Sequence, residues 1–333
     1  MTSNLPAAPA PASDLAQASA GEEIRRLAAT ALAYADASRA PATRRAYSSA
    51  WRAFSTWCEA RGFSPLPASA ELVALYLSDR AGALKVSTLA LHRAAIEAAH
   101  CAHDLSPPDS AALREVWDGL RRTHGAPPAK KTAIRAADIR RAFARRPRSL
   151  AELRDRALIL IGFASALRRS ELAELSLDAD ARVQARFADE GLEIIVLRSK
   201  GDPFGAGATI AVPFGARSST CPVKALSAWL AAASIDAGPV FRLVDRAGHI
   251  GGVAVSDRFV ARTIKRVAEQ NGLDAGIYAG HSLRRGMITE AVLGGASPEA
   301  VQAHARHARW DTTRGYIEQA SRFYRSAAGK LGL

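Results

Sequence analysis

Histidine, arginine and tyrosine side chains crowd into residues 281–316: His281-Ser282-Leu283-Arg284, then His304 and His307 in a basic run, then Tyr316. These are the parts needed to cradle a phosphate and attack it. A guanidinium fork matches phosphate oxygens, and an imidazole moves protons near neutral pH. A phenolic oxygen is a nucleophile once relieved of a proton that free phenols hold to about pH 10. The i, i+3 spacing predicts His281 and Arg284 on one helix face, with Ala279-Gly280 leaving room for close approach. His304-x-x-His307 has metal-pair character, but no HExxH, neighbouring cysteine or flanking carboxylate accompanies it. No metal is therefore expected at this pair. Far upstream, Ala166-Leu167-Arg168-Arg169-Ser170-Glu171-Leu172 predicts Arg168 at a helix start, where free amides favour an anion. Glu171 is near enough to orient that guanidinium, although a plain Arg–Glu pair at a helix turn reads the same way. Lys200 tops a turn rich in glycine and proline, where a lysine reaches over a site or is simply a loop lysine.

The elements that must position these residues are bounded by composition. The chain has 333 residues, room for two domains, and 48% of them are hydrophobic, enough for real cores. Its net charge of +13, mostly from arginine, suits a polyanionic partner, though an arginine-rich coding bias gives the same balance. No apolar run approaches the roughly 18–20 residues of a membrane span. Cys58, Cys101 and Cys221 are scattered, as free thiols in a reducing, cytoplasmic compartment would be.

Residues 1–20, rich in Ala, Pro and Ser, predict a disordered leader with no signal-peptide pattern. Residues 21–122 predict a helical domain. Its sharpest signal is Tyr47, Ala50, Trp51, Phe54, Trp57 and Cys58 on one helical face, with Arg44, Arg45 and Arg52 opposite. Further helices are expected from Ser69, from Ser87, and around Leu113, Val116, Trp117 and Leu120. Residues 123–134, with Pro127-Pro128 and Lys130-Lys131, read as a basic linker. Residues 135–333 predict a mainly α domain. A capping box at Ser149–Glu152 opens an apolar helix, and Leu192–Arg198 with Thr209–Pro213 form a hairpin or small antiparallel sheet. Helices follow over Pro222–Ala233, Asp257–Gln270 and Ser282–Leu293, from Ser297-Pro298-Glu299, and from near Asp311.

In order and spacing, Arg168, Lys200, His281-x-x-Arg284, His307 and, nine residues on, Tyr316 resemble the tyrosine recombinases of the phage integrase family. The resemblance spans about residues 40–325. At Arg306 the chain departs from it, because many members carry a glycine between leucine and histidine there. The resemblance implies a helical core-binding (SAM-like) domain followed by a catalytic domain of the DNA breaking-rejoining fold, mainly α with a small antiparallel sheet. It implies a site-specific recombinase working as a homotetramer on double-stranded DNA sites, through a covalent 3′-phosphotyrosine, with no metal and no nucleotide cofactor.

In that scheme Arg168, Arg284 and His307 stabilise charge on the phosphate, Tyr316 attacks, His281 assists as base, and Lys200 protonates the 5′-oxygen. The domains and linker would clamp the duplex through Arg44, Arg45, Arg52, Lys130 and Lys131. Arg258, Arg262, Lys265 and Arg266 would face the major groove from the helix after Asp257, unless that face is only a solvated basic surface. A last helix carrying Phe323, Tyr324 and Leu331 would dock into a neighbouring protomer. A type IB-like topoisomerase shares the chemistry, and a non-catalytic DNA-binding protein shares the charge. The latter needs neither Tyr316 nor Lys200.

Overall fold

The computed structural model describes residues 22–31, 33–34, 38, 40–127, 131–199, 202, 205–321 and 331. The leader over residues 1–20, Lys130, Lys200, Phe323 and Tyr324 lie outside the described residues. The chain divides into two compact units, Met1–Pro128 and Ala129–Leu333.

In the first unit, exposed helical residues 22–31 precede helices α1 (Pro41–Glu59), α2 (Ala70–Arg80), α3 (Val86–Ala102) and α4 (Ala111–His124). Pro41 stands in the first turn of α1, where its missing amide costs nothing. The Ser69 and Ser110 side chains accept from the amides of Leu72 and Leu113 and start α2 and α4. The expected face of α1 buries Ala50, Phe54, Trp57 and Cys58, and Phe54 meets Tyr76 edge-on with ring centroids 5.0 Å apart. Tyr76 is sealed in this core. Its hydroxyl lies 2.6 Å from His92 Nδ1, and burial pushes its pKa up to about 12. Arg44, Arg45 and Arg52 stand exposed on the opposite side of α1.

The second unit begins with α5 (Ala136–Ala142) and α6 (Leu150–Ala164). Ser149 caps α6 by accepting from the amide of Glu152, while the Glu152 carboxylate accepts from Arg148 N rather than closing the full box on Ser149. Then come α7 (Arg169–Ala173) and strands β1 (Leu175–Ser176), β2 (Val183–Ala188), β3 (Gly191–Val196) and β4 (Ala208–Pro213). They form one sheet in the order β1-β2-β3-β4. The two expected strands do pair antiparallel, as β3 and β4, and the structure adds β2 and β1 to their sheet. β2 and β3 pair antiparallel from Val183↔Val196 to Ala188↔Gly191, β3 pairs antiparallel with β4, and β1 joins β2 in parallel. Period-two burial is clean in β3, where Leu192, Ile194 and Val196 are buried. β2 hides because its buried face includes Gln184, whose amide donates to Ala181 O and accepts from Arg186.

Helix α8 (Pro222–Ala232), the hairpin β5 (Arg242–Val244)–β6 (Ile250–Ala254), and helices α9 (Asp257–Gln270), α10 (Ser282–Leu293), α11 (Pro298–Ala305) and α12 (Trp310–Ala320) complete the unit. α6 is the central strut. It packs on α8 and α10, burying Ala157 to Gly162 among Trp229, Leu226 and Leu283. Each such large apolar side chain contributes about 1.5–3 kcal/mol. Trp229 is fully buried and donates from Nε1 to Val240 O at 2.8 Å.

The segment after residue 131 lies along α10, with Thr132 N donating to Ile277 O and Ile134 N to Ser282 O. Gly286 makes this approach possible, since a Cβ there would stand 2.2 Å from Ile134 O. α10 is therefore pinned from two sides, by α6 and by this segment. α11 and α12 pack on it in turn.

Candidate active site

Arg168 is the N-cap residue of α7, as its motif predicts. Its backbone N–H donates to Glu171 Oε2 at 2.8 Å, and its Nη1 donates to Oε1 at 2.8 Å. Glu171 thus caps the helix and grips the arginine with one carboxylate. It is 1% exposed, a depth at which an unpaired carboxylate would not stay ionised. Burial raises its pKa, but Arg306 and Arg168 outweigh burial and hold the carboxyl below its ordinary value.

Arg284 comes from the first turns of α10 and is 5% exposed. Its Nη1 donates to Ala166 O at 2.7 Å and its Nη2 to Ala305 O, so two chain reversals feed carbonyls to one guanidinium. Burial first, then Arg168 and Arg306, lower its pKa to about 10, which leaves it cationic at neutral pH. Ala166 reaches this position in the left-handed region, at φ 51°. That conformation costs an L-residue about 1 kcal/mol or more.

Arg306 takes the same backbone region at the end of α11, with φ 55° and ψ 50°. His307 N donates back to Gln302 O at 3.2 Å, closing the helix end in the manner that favours glycine. This accounts for the glycine common at this position in the resembling family. The Arg306 side chain is 9% exposed, and its Nη2 donates to Glu171 Oε2 at 2.7 Å. Its Nε and Nη1 are buried without a partner. Each orphaned donor of this kind costs about 1–3 kcal/mol.

His307 follows Arg306 directly. Its Nδ1 lies 2.9 Å from the hydroxyl of the buried Thr313. Its ring stacks on Tyr316 with centroids 5.5 Å apart and planes 11° apart. Burial, then Arg284, Arg168 and Arg306, push its pKa down to about 4, so the ring is neutral at pH 7. Tyr316, on α12, also lies under Arg285, whose Cζ is 5.7 Å from the ring centroid and whose Nη2 holds Gln319 Oε1 at 2.8 Å.

The structure therefore brings Arg168, Glu171, Arg284, His307 and Tyr316 to one cluster and adds Arg306. His281 is the N-cap residue of α10 and is exposed, whereas Arg284 is buried, so the i, i+3 pair does not share one environment. Gly280 does allow close approach, its missing Cβ leaving room for the Arg169 side chain at 2.6 Å. His304 serves the fold, with Nε2 at 2.8 Å from Ala164 O at the end of α6. Among the described residues no group of three or more His, Cys, Asp or Glu side chains is arranged to hold a metal ion.

Of the expected DNA-facing residues, Arg258, Arg262 and Lys265 are exposed on α9, while the opposite face buries Val260, Thr263, Ile264 and Ala268. Arg266 is tied to Asp155, which also holds Arg154, so it braces α9 on α6. Lys131 is exposed and donates to Gly276 O at 2.8 Å. Sequence reasoning missed Arg285, Thr313 and the role of Ala166. Arg306 it marked only as a departure.

The profile of the phage integrase family matches residues 132–322, the segment that contains this cluster. The integrase/recombinase XerD homolog of Selenomonas ruminantium is 33% identical over 320 residues, covering 93% of this chain and 91% of that protein. The chain belongs to the phage integrase family and is a site-specific tyrosine recombinase. The fold agrees. A XerH site-specific recombinase in a post-cleavage complex with its difH substrate superposes with a TM-score of 0.56 at 16% identity, covering 79% of this chain and 74% of that one. A lambda integrase fragment, crystallised as a dimer on a core site, gives 0.56 at 15% identity, covering 90% and 96%. Among the described residues no helix is long and apolar enough to cross a membrane.

Proposed function

We propose that this recombinase cleaves and rejoins duplex DNA through a 3′-phosphotyrosine on Tyr316. One observation carries the reading. A single buried carboxylate, Glu171, holds Arg168 and Arg306 beside Arg284, with Tyr316 stacked on His307 next to them. Three guanidinium cations around one carboxylate leave a net positive cluster, suited to a phosphodiester whose in-line displacement gathers charge on its non-bridging oxygens.

In the proposed step Tyr316 Oη forms a bond to phosphorus as the bond to the 5′-oxygen breaks. The phenolic proton passes to His281, and Lys200 protonates the leaving 5′-oxygen. Arg168 and Arg284 bind the non-bridging oxygens. Neutral His307, in the tautomer whose Nδ1 accepts from the Thr313 hydroxyl, would present its Nε2–H to the same charge. Rejoining is the reverse attack by a 5′-hydroxyl, and the phosphotyrosine conserves the bond without a cofactor.

Double-stranded DNA is the proposed partner, with phosphates met by Arg44, Arg45, Arg52, Lys130 and Lys131 and the groove by Arg258, Arg262 and Lys265. Four protomers on two sites, in the cytoplasm at the nucleoid, complete the proposal. Leu66-Pro67-Ala68, Gly280-His281-Ser282 and Gly315-Tyr316-Ile317 are the sequence grounds for a member resembling Cre recombinase.

The test uses nicked duplexes drawn from the DNA flanking the protein's own coding sequence. Wild type should form an adduct that survives denaturant, Tyr324→Phe should retain it, and Tyr316→Phe should lose it. An adduct persisting in Tyr316→Phe removes the assignment. Relaxation of any supercoiled plasmid by a lone protomer would favour a topoisomerase.

A further inference from the structure

Arg306 is the arginine of this cluster to which the proposed steps assign no contact with the phosphate. It occupies left-handed backbone, where glycine is favoured, at φ 55°. Its side chain is nine-tenths buried, and only Nη2 has a partner, Glu171 Oε2 at 2.7 Å. Nε and Nη1 are sealed from water and bonded to nothing. Folded proteins rarely leave such donors unmatched, and where they do, a ligand often supplies the match. The neighbours narrow what that ligand can be. Arg168 and Arg306 stand close enough to lower the proton affinity of Arg284, and the same three arginines act on His307. Only an anion lowers the energy of that set.

The charge balance leads to the same conclusion. Were Glu171 to face Arg168 alone, the pair would be close to neutral and Arg284 would be the only uncompensated cation. With Arg306 sharing Glu171, three positive groups face one negative one. A phosphodiester carries one negative charge, and its pentacoordinate state carries two. We infer that Arg306 is a third arginine of the scissile-phosphate site, supplying the second uncompensated positive charge that the pentacoordinate phosphate requires. It also divides the negative charge of Glu171, so that Arg168 remains available to the phosphate. This deepens the recombinase reading and rests on it.

The test compares wild type, Arg306→Gly and Arg306→Lys on two nicked duplexes, one with an ordinary scissile phosphate and one with a neutral methylphosphonate there. Glycine relaxes the left-handed backbone, so Arg306→Gly keeps the loop. Its folding is checked by thermal melting and by binding of the uncut duplex. On the phosphate duplex, Arg306→Gly should form adduct roughly 100-fold more slowly than wild type, the scale for removing one oxyanion donor, and Arg306→Lys should recover part of the loss. On the methylphosphonate, where one charge is already gone, the gap between wild type and Arg306→Gly should shrink to about threefold. An Arg306→Gly rate equal to wild type on phosphate overturns the inference. So does a defect of the same size on both duplexes, which would mark a merely structural role. No adduct from wild type on either duplex overturns the recombinase reading itself and this inference with it.

Discussion

Replacing Glu171 by glutamine removes one charge and no volume, and its effect can be worked from the geometry. The carboxylate is 1% exposed and accepts from Arg168 N, Arg168 Nη1 and Arg306 Nη2 at 2.8, 2.8 and 2.7 Å. Hydrogen bonds to a charged group contribute about 1.5–3 kcal/mol each. A glutamine keeps one acceptor but turns its amide toward a donor. It also leaves the Arg306 guanidinium, already lacking partners at Nε and Nη1, buried without an anion. Breaking a buried ion pair from one side costs about 3–5 kcal/mol. At ~2–4 °C per kcal/mol for a unit of about 200 residues, the melting temperature should fall by roughly 6–20 °C. Adding Arg306→Gly to Glu171→Gln should restore part of that loss, because the orphaned charge goes with it. Thermal melts of the two single variants and the double variant form the cycle.

The acid limb gives a second readout of the same residue. Glu171 is held below its ordinary pKa in the folded state. Its contribution is therefore present above the unfolded value of about 4.3 and is lost as pH falls through the folded one. That loss should be absent in Glu171→Gln. A Glu171→Gln protein melting within about 1 °C of wild type, with an unchanged acid limb, would refute the claim that this carboxylate holds the arginines.

Three further outcomes are expected. Ala166→Gly should raise stability by about 0.5–1 kcal/mol in denaturant melts, because φ 51° costs alanine what it does not cost glycine. His307, neutral when folded with a pKa near 4 and free to protonate near 6.5 when unfolded, should make stability fall as pH drops from 6.5 toward 4. The slope is at most about 1.4 kcal/mol per pH unit and should flatten in His307→Gln. Thr313→Val, which keeps shape but removes the hydroxyl 2.9 Å from His307 Nδ1, should slow adduct formation about tenfold with binding of uncut duplex unchanged. An unchanged rate would mean that the hydroxyl does not orient the imidazole.

Much of the fold was legible because its signals are local and periodic. The α1 face, the helix starts at Ser69, Ser149 and Ser297, and the bounds of α9 and α10 follow from apolar spacing and side-chain chemistry. Strand β2 was not legible, because its buried positions include a glutamine that finds its hydrogen bonds only in the folded turn. The site divides in the same way. Arg168, Arg284, His307 and Tyr316 stand in recognisable order along the chain. Ala166 and Arg306 adopt left-handed backbone that nothing in an alanine or an arginine announces. Their positions are imposed from outside: the Ala166 carbonyl is fixed on Arg284, and the Arg306 guanidinium is fixed on Glu171 from another helix. Thr313 acquires its importance only when α12 folds back onto α11.

The central claim is that Tyr316 carries the DNA. Its most direct test is to digest the denaturant-resistant adduct with protease and nuclease and to locate the nucleotide mass by tandem mass spectrometry. A nucleotide joined through its 3′-phosphate to the Tyr316 peptide is the predicted result. The same mass on any other residue, or a link through the 5′-phosphate, would contradict it.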